Sequence, residues 1–146
     1  NGAVTLGTMD GANVEIYDAV GPDNIFIFGM TAQEVEELKQ RGGYHPQSLY
    51  TGNPHIHRAI DYMYHGFCGR AYNEVANSLA NSDPYMVLAD FEDYARAQEQ
   101  SARTYADRQK WARMAMVNTA ESGIFSADRA IRDYSDRIWH CRPVKD

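Results

Sequence analysis

The first sixteen residues constrain the fold most, because they predict a strand, a tight turn and a helix in direct succession. The apolar, partly β-branched run at residues 3–7 is typical of a strand that is buried on both faces, as in a parallel sheet. Residues 8–12 place short side chains and a glycine where the backbone must bend. We expect Asn13 to cap the following helix, with Glu15 facing the positive end of the helix dipole. In doubly wound folds such a turn lies at the carboxyl edge of the sheet, where ligands usually bind.

A second strand and helix follow directly. Residues 25–28 have the pattern of a short buried strand that ends at Gly29. Thr31 and Glu34 have the spacing of a capping box, and Gly42 marks the end of the helix that they begin. The two strand–helix units together form half of a doubly wound sheet.

From residue 44 onward the pattern predicts about five helices and no further strand. Asn53 and Pro54 fit the cap and first position of one helix, on which Ile56 and Ile60 recur at helical spacing. The others are predicted over residues 69–80, 91–105 and 107–122 and from residue 126 onward, with caps at Asp90, Asp107 and Ser126. Residues 85–89 are expected to be extended.

Two of these helices carry apolar stripes. Over residues 69–80 the stripe consists of Tyr72, Val75 and Leu79, which we expect to face the core. The stripe of the last helix consists of Ile131, Tyr134 and Ile138, with Trp139 beside it. Together with Phe125, this second stripe is larger than two short strands can cover.

Composition excludes several classes of function. The net charge of −6 argues against a general binder of nucleic acid or of anionic membranes, because both need a basic surface. No apolar run approaches the roughly 20 residues of a membrane span. Cys68 and Cys141 fit no metal or redox spacing, and we interpret them as free thiols in a reducing cytosol, which predicts a cytoplasmic protein.

Several segments resemble the α-glucan phosphorylases, the family of glycogen, starch and maltodextrin phosphorylases. The similar segments are NGAVTLGTMDGANVEI at residues 1–16, NIFIFG at 24–29, DPYMVLADFEDY at 83–94, WARM at 111–114 and SGIFSADRAIRDYSDRIW at 122–139. They follow the family's order and cover nearly the whole chain. The resemblance implies a C-terminal piece that begins just after the lysine motif for pyridoxal phosphate.

The resemblance implies an α/β fold, namely the C-terminal part of a Rossmann-like lobe in a two-lobe, GT-B type glycosyltransferase. Residues 1–146 would be a partial C-terminal domain, with the end of the sheet at 1–43 and a mostly helical tail at 44–146. In this architecture the final helices brace the other lobe. We therefore expect this chain, without its N-terminal lobe, to expose apolar surface on its last helix.

The resemblance also implies an activity for the parent protein. Such enzymes transfer the terminal glucosyl unit of an α-1,4-glucan to inorganic phosphate and release glucose 1-phosphate, and the parent is expected to be a cytoplasmic homodimer. The phosphate of pyridoxal phosphate acts there in proton transfer. The resemblance places the Schiff-base lysine upstream of Asn1, and Lys39, Lys110 and Lys145 match no family motif. We therefore expect no catalytic residue in this chain, no bound cofactor and no activity of the chain alone.

The turn after the first strand is the best candidate for a functional role. Thr8, Asp10, Gly11 and Asn13 are predicted to support the neighbouring cofactor region of the parent. The structural alternative is that Asp10 and Asn13 only satisfy backbone donors where a helix begins. Substitution of Asp10 in the parent separates the two interpretations.

Other polar and aromatic groups have simpler explanations. His57, Asp61 and His65 are four residues apart on one predicted helix, but a metal site is not expected there, because such sets arise readily on solvated helices. Arg129 is a candidate partner for a carboxylate across the lobe interface. Four tyrosines are candidates for stacking on sugar rings, although tyrosine on an amphipathic helix usually marks the edge of the core. They are Tyr62, Tyr64, Tyr85 and Tyr94.

Two alternatives to a phosphorylase stay open from the residues alone. One is another retaining glycosyltransferase of the same two-lobe architecture, such as a nucleotide-sugar-dependent glucan synthase, because that fold shares the strand, turn and helix. The other is a non-catalytic helical interaction module derived from a phosphorylase. Reading the codons that precede Asn1 would discriminate among the three.

Overall fold

Two short parallel strands, β1 (Leu6–Gly7) and β2 (Phe26–Ile27), lie side by side in the computed structural model, which describes residues 2–142. Leu6 pairs with Phe26, and Gly7 pairs with Ile27. The N–H of Phe26 donates to the carbonyl of Thr5 at 2.9 Å, which extends the pairing by one residue. The parallel arrangement predicted from the sequence is confirmed. Both strands are shorter than predicted, because each has a neighbour over only a few residues within the described chain.

A helix follows each strand. After β1 and a short turn comes α1 (Ala12–Val20), and a 3-10 turn (Pro22–Asn24) connects this helix to β2. After β2 comes α2 (Ala32–Arg41), which has the predicted capping box. The N–H of Thr31 donates to the Glu34 carboxylate at 2.7 Å, and the N–H of Glu34 donates to the Thr31 hydroxyl at 3.3 Å. The helix ends before Gly42, as predicted, where φ is +66°.

Six α-helices occupy the rest of the described chain. They are α3 (Pro46–Gly52), α4 (Pro54–His65), α5 (Asn73–Asn81), α6 (Phe91–Ala106), α7 (Arg108–Glu121) and α8 (Ala127–Tyr134). A 3-10 turn (Ser122–Phe125) precedes α8, and a short π-helix (Ser135–Trp139) continues it. The sequence prediction missed α3, because seven residues are too few to show a helical period. The caps predicted at Asn53, Asp107 and Ser126 are confirmed.

The main core lies between α4 and α5. Ile56 and Ile60 are buried there, as predicted, together with Ala76, Ala80 and Leu88. The stripe predicted for α5 is confirmed for Leu79, which packs against this core, and was wrong for Val75, which is 51% exposed, because the fully buried positions of the helix are Ala76 and Ala80. The small alanine side chains allow the two helices to approach closely, and this preference cannot be recognised from hydrophobicity alone.

A buried aspartate shapes the segment between α5 and α6. Asp83 is 1% exposed, and its carboxylate accepts hydrogen bonds from the N–H groups of Val87 at 3.0 Å and Leu88 at 2.8 Å. It also accepts from the hydroxyl of Tyr44, whose pKa is raised by burial and by this carboxylate. Residues 85–89 therefore form turns and not the predicted extended segment, with Met86 at a φ of +55°.

Two long helices cover the strands and α1. Trp111 of α7 stacks on Phe26 of β2 with ring centroids 6.3 Å apart. Asn118 of α7 donates to the carbonyl of Asn24 at 2.8 Å, and Arg96 of α6 donates to the carbonyl of Ile27 at 3.3 Å. The second strand and the turn before it are thus held by contacts that come from more than sixty residues away in the chain.

The last helices lie at the surface with their apolar stripe uncovered. Ile131 is 58% exposed in α8, and Ile138 and Trp139 are 62% and 58% exposed in the π-helix. Tyr134 and Trp139 contact each other with ring centroids 5.6 Å apart. Exposure of this stripe agrees with the expectation from the sequence. Within residues 2–142, no helix combines the length and the apolar character that crossing a membrane requires.

Candidate functional site

A cleft of about 750 Å³ opens at the carboxyl ends of β1 and β2. One wall is the turn after β1, and the base contains the residues that follow β2. The opposite walls come from α2 and from the segment that leads into α6. The lining consists of Thr8, Met9, Asp10, Phe28, Met30, Ala32, Val35, Glu36, Lys39, Pro84, Tyr85, Val87, Asp90, Phe91 and Tyr94. Its position at the strand ends is the one at which α/β folds usually bind ligands.

The turn after β1 is closed by its own side chains. The Thr8 hydroxyl donates to Asp10 Oδ1 at 2.8 Å, and Asn13 Nδ2 donates to the carbonyl of Thr8 at 2.9 Å. Gly11 precedes α1 with a φ of +51° and gives the helix no side-chain cap. The prediction that Asn13 caps α1 was wrong, because the helix begins at Ala12 and the Asn13 amide reaches back to the turn instead. Glu15 lies in the first turn of the helix, as predicted.

The structure brings Thr8, Asp10 and Asn13 together, but only two of them line the cleft. Thr8 and Asp10 border it, whereas Asn13 stands behind the turn and holds the Thr8 carbonyl. Gly11 does not line the cleft, and a methyl group added there would meet nothing within 4 Å. The four candidate residues therefore form one local unit, in which Asn13 and Gly11 set the backbone and Thr8 and Asp10 face the open space.

Two carboxylates at the start of α6 hold the loop after β2. Asp90 Oδ1 accepts from the N–H of Met30 at 2.9 Å, and Asp93 Oδ2 accepts from the N–H of Gly29 at 2.8 Å. Asp90 makes no side-chain cap with α6, so the predicted cap was wrong. Its carboxylate satisfies a donor from a distant loop instead.

The same two carboxylates have opposite shifts in pKa. Burial raises the pKa of Asp90, and the negative charge of Asp93 acts in the same direction. Hydrogen bonds from Arg96 and from the N–H of Gly29 lower the pKa of Asp93. Gly29 is required at this point, because a Cβ atom there would lie 2.6 Å from Asp90 Oδ2 and φ is +81°. The start of α6 and the loop after β2 therefore fit together without space for a larger residue.

Two of the four candidate tyrosines border the cleft. Tyr85 is 86% exposed at its rim, and Tyr94 packs edge-on against Phe28 with ring centroids 5.2 Å apart. The other two lie on α4, away from the cleft. Tyr62 stacks on Phe67 at 5.3 Å, and the Tyr64 hydroxyl donates to Asn77 at 2.9 Å.

The charges on the cleft lining are mainly negative. Asp10, Glu36 and Asp90 contribute three carboxylates, and Lys39 contributes one ammonium group. A phosphate or another anion would therefore meet net repulsion in this cleft. The apolar side chains of Met30 and Val35 lie beside these charges, so the surface combines hydrogen-bond acceptors with apolar contact area.

The remaining polar candidates are engaged locally. His57 Nε2 lies 3.1 Å from Asp61 Oδ2, and Tyr50 donates to the other oxygen of the same carboxylate at 2.7 Å. In the described chain, residues 2–142, no group of three or more His, Cys, Asp or Glu side chains is arranged to hold a metal ion. Arg129 lies 3.7 Å from Asp133 on its own helix. Cys68 and Cys141 are free and exposed.

Sequence reasoning located the turn but missed the opposite wall of the cleft. The sequence pattern predicted only a helix cap at Asp90 and a helical position at Asp93. Their hydrogen-bond donors, the N–H groups of Met30 and Gly29, lie about sixty residues earlier in the chain. Met30, Val35 and Phe91 gave no sign of lining a site. The similarity of residues 83–94 to the family was the single signal that this segment matters.

Comparison with known proteins gives a consistent result over the whole chain. A family model described as carbohydrate phosphorylase matches residues 1–141. The glycogen phosphorylase of Synechocystis sp. is 43% identical over an alignment of 148 residues. The alignment covers 99% of this chain and 17% of that protein. The Bacillus subtilis glycogen phosphorylase is 43% identical, and the human muscle form is 41% identical. Each of these two matches covers 99% of this chain and 18% of the relative, so the chain spans less than a fifth of the relatives' length. The chain belongs to the carbohydrate phosphorylase family.

Proposed function

We propose that this chain is the C-terminal part of an α-1,4-glucan phosphorylase. The parent enzyme would transfer the terminal glucosyl unit of a glucan to inorganic phosphate and release glucose 1-phosphate. The observation that carries this proposal is the family match over residues 1–141, supported by relatives named glycogen phosphorylase at 41–43% identity. No observation favours a nucleotide-sugar-dependent synthase or a non-catalytic module over this function.

Within such an enzyme, this chain would contribute the end of a Rossmann-like lobe. The parallel pair β1 and β2 and the helices that cover it are compatible with the edge of a doubly wound sheet. The turn containing Thr8, Asp10, Gly11 and Asn13 would then support the cofactor region from the carboxyl edge of the sheet. Its hydrogen bonds would fix the backbone there without direct contact to the reacting atoms.

The residues of this chain do not suit pyridoxal phosphate. When bound to the parent, this cofactor would supply a phosphate group for proton transfer. Lys39 lines the cleft, but the carboxylates of Asp10, Glu36 and Asp90 line it too, and they disfavour a phosphate group. Lys110 lies in α7, and Lys145 lies outside the described residues. We therefore propose that the chain alone neither binds the cofactor nor catalyses phosphorolysis.

The uncovered stripe on the last helices fits a contact within the parent. Ile131, Ile138 and Trp139 are each more than half exposed, which is costly for side chains of this size in water. We propose that this stripe packs on the N-terminal lobe of the enzyme. A free chain would then associate or bind hydrophobic dyes more readily than the full-length protein.

The test is an assay of phosphate-dependent glucose 1-phosphate release from an α-1,4-glucan. The full-length gene product is expected to be active when supplied with pyridoxal phosphate, and the 146-residue chain is expected to be inactive under the same conditions. A full-length product that uses a nucleotide sugar, and not phosphate, would overturn the proposed reaction. Phosphorolysis by the 146-residue chain alone would overturn the proposal that it lacks the catalytic residues.

A further inference from the structure

We propose that the cleft between the turn after β1 and the start of α6 is a binding site for a segment of α-glucan chain. This inference rests on the proposed function, because it takes the substrate class from it. It concerns a surface of this chain that contains no catalytic residue. The site would hold the polysaccharide and not the reacting sugar.

The size of the cleft suits an oligosaccharide segment. Its volume of about 750 Å³ lies within the roughly 300–1,000 Å³ of ordinary ligand pockets. It opens to solvent along the rim at Tyr85, which is 86% exposed. An open cleft with an exposed rim accepts a chain that continues beyond it on either side, as a polysaccharide does.

The lining has the two properties that a sugar ring requires. A glucose unit presents C–H groups on its faces, which pack on aromatic and apolar side chains, and hydroxyl groups around its edge, which donate hydrogen bonds. Tyr85 at the rim and Met30 and Val35 inside offer the apolar contacts. The carboxylates of Asp10 and Glu36 are exposed and offer acceptors.

Charge narrows the class of ligand further. The cleft carries three carboxylates against Lys39, so it disfavours phosphate, sugar phosphates and nucleotides. A neutral polyhydroxyl ligand gains hydrogen bonds from the carboxylates and meets no such repulsion. The binding surface would therefore distinguish the neutral glucan from the anionic product, glucose 1-phosphate.

The walls of the cleft are fixed before a ligand arrives. The Thr8 hydroxyl holds Asp10 at 2.8 Å, and the N–H of Met30 holds Asp90 at 2.9 Å. A preorganised wall loses little conformational entropy on binding, which favours the weak but specific contacts typical of sugars.

The inference is tested by NMR titration of the 146-residue chain with maltoheptaose. Shifts are expected at Thr8, Met30, Tyr85 and Tyr94, with saturation below about 10 mM. Tyr85→Ala is expected to weaken binding about fivefold through loss of ring contact, and Tyr85→Phe is expected to retain it. Tyr62→Ala removes an exposed tyrosine outside the cleft and is the matched control.

A second measurement uses the full-length gene product, so the result does not depend on folding of the chain alone. Retention on glycogen in affinity electrophoresis is expected to fall for Tyr85→Ala and to stay unchanged for Tyr62→Ala. Equal retention of both variants, or titration shifts confined to other surfaces, would overturn the cleft assignment. Such a result would leave the proposed function intact if glucose 1-phosphate is still released. Absence of that release would count against the proposed function separately.

Discussion

Asp90 at the start of α6 accepts a hydrogen bond from the backbone N–H of Met30, sixty residues earlier in the chain, at 2.9 Å. This bond joins the loop after β2 to the helix that covers the strands. Asp93, one turn later, holds the preceding N–H of Gly29 in the same way. The loop after β2 is thus held by two carboxylates whose pKa values move in opposite directions.

The opposite shifts predict two distinct effects of pH on stability. Asp90 has a raised pKa, so the folded state takes up a proton first, and this protonation stabilises the fold as the pH falls towards the ordinary pKa of 3.8. Asp93 has a lowered pKa, so its contribution is present above 3.8 and is lost as the pH falls below that value. Urea unfolding of the wild type, Asp90→Asn and Asp93→Asn between about pH 3 and 6 measures both effects.

In that experiment, the wild type should gain stability relative to Asp90→Asn as the pH falls towards 3.8. Below 3.8 it should lose stability relative to Asp93→Asn. Each asparagine keeps one oxygen acceptor for the backbone donor. In Asp93→Asn the amide group cannot also accept from Arg96, so that bond is lost at every pH, and only the change of stability with pH reports the titration. Parallel curves for all three proteins would contradict both assignments.

Gly29→Ala is predicted to destabilise the fold by about 2 kcal/mol or more. The added Cβ would lie 2.6 Å from the Asp90 carboxylate, and the backbone φ of +81° is unfavourable for alanine. Gly52→Ala is the matched control, because a Cβ there meets nothing within 4 Å and lies at the end of α3. The control should be neutral or stabilising by about 0.5 kcal/mol. Equal midpoints in urea for the two variants would show that the Asp90 contact does not constrain this loop.

Local signals predicted local structure well. The capping box of Thr31 and Glu34 and the cap at Asn53 depend on residues two to three positions apart, so the sequence contains all the information that they need. The parallel pairing of the strands followed from their apolar pattern. The helix over residues 46–52 was missed, because a helix of two turns shows no period.

Distant contacts account for the errors. Asn13 and Asp90 have the residue types of caps, but the turn carbonyl of Thr8 and the N–H of Met30 engage them instead. An extended segment was expected over residues 85–89, but the buried carboxylate of Asp83 accepts three hydrogen bonds, two of them from backbone N–H groups of this segment, and the segment therefore forms turns. One wall of the cleft was therefore predictable from the turn after β1, and the other wall depended on packing that the sequence alone does not reveal.

Ala76→Leu is predicted to destabilise the fold by about 1–3 kcal/mol, because the larger side chain does not fit between α4 and α5. Ala76 is fully buried in the core with Ile56 and Ile60. Val75→Leu changes the neighbouring residue, which is 51% exposed, and is expected to change stability by less than about 0.5 kcal/mol. Thermal or urea unfolding measures both. A larger loss for Val75→Leu would restore the stripe that the sequence pattern indicated for α5.

Asp10→Ala in the full-length enzyme is predicted to lower the rate of phosphorolysis about tenfold, with little change in melting temperature. Asp10 is exposed, and its side chain accepts from the Thr8 hydroxyl, so its loss frees a turn without opening the core. Asp18→Ala, on the exposed part of α1, is the matched control and should leave both quantities unchanged. If Asp10→Ala lowers the melting temperature and leaves kcat unchanged, then Asp10 only closes the turn. If kcat falls at an unchanged melting temperature, the turn after β1 positions the catalytic region of the parent enzyme.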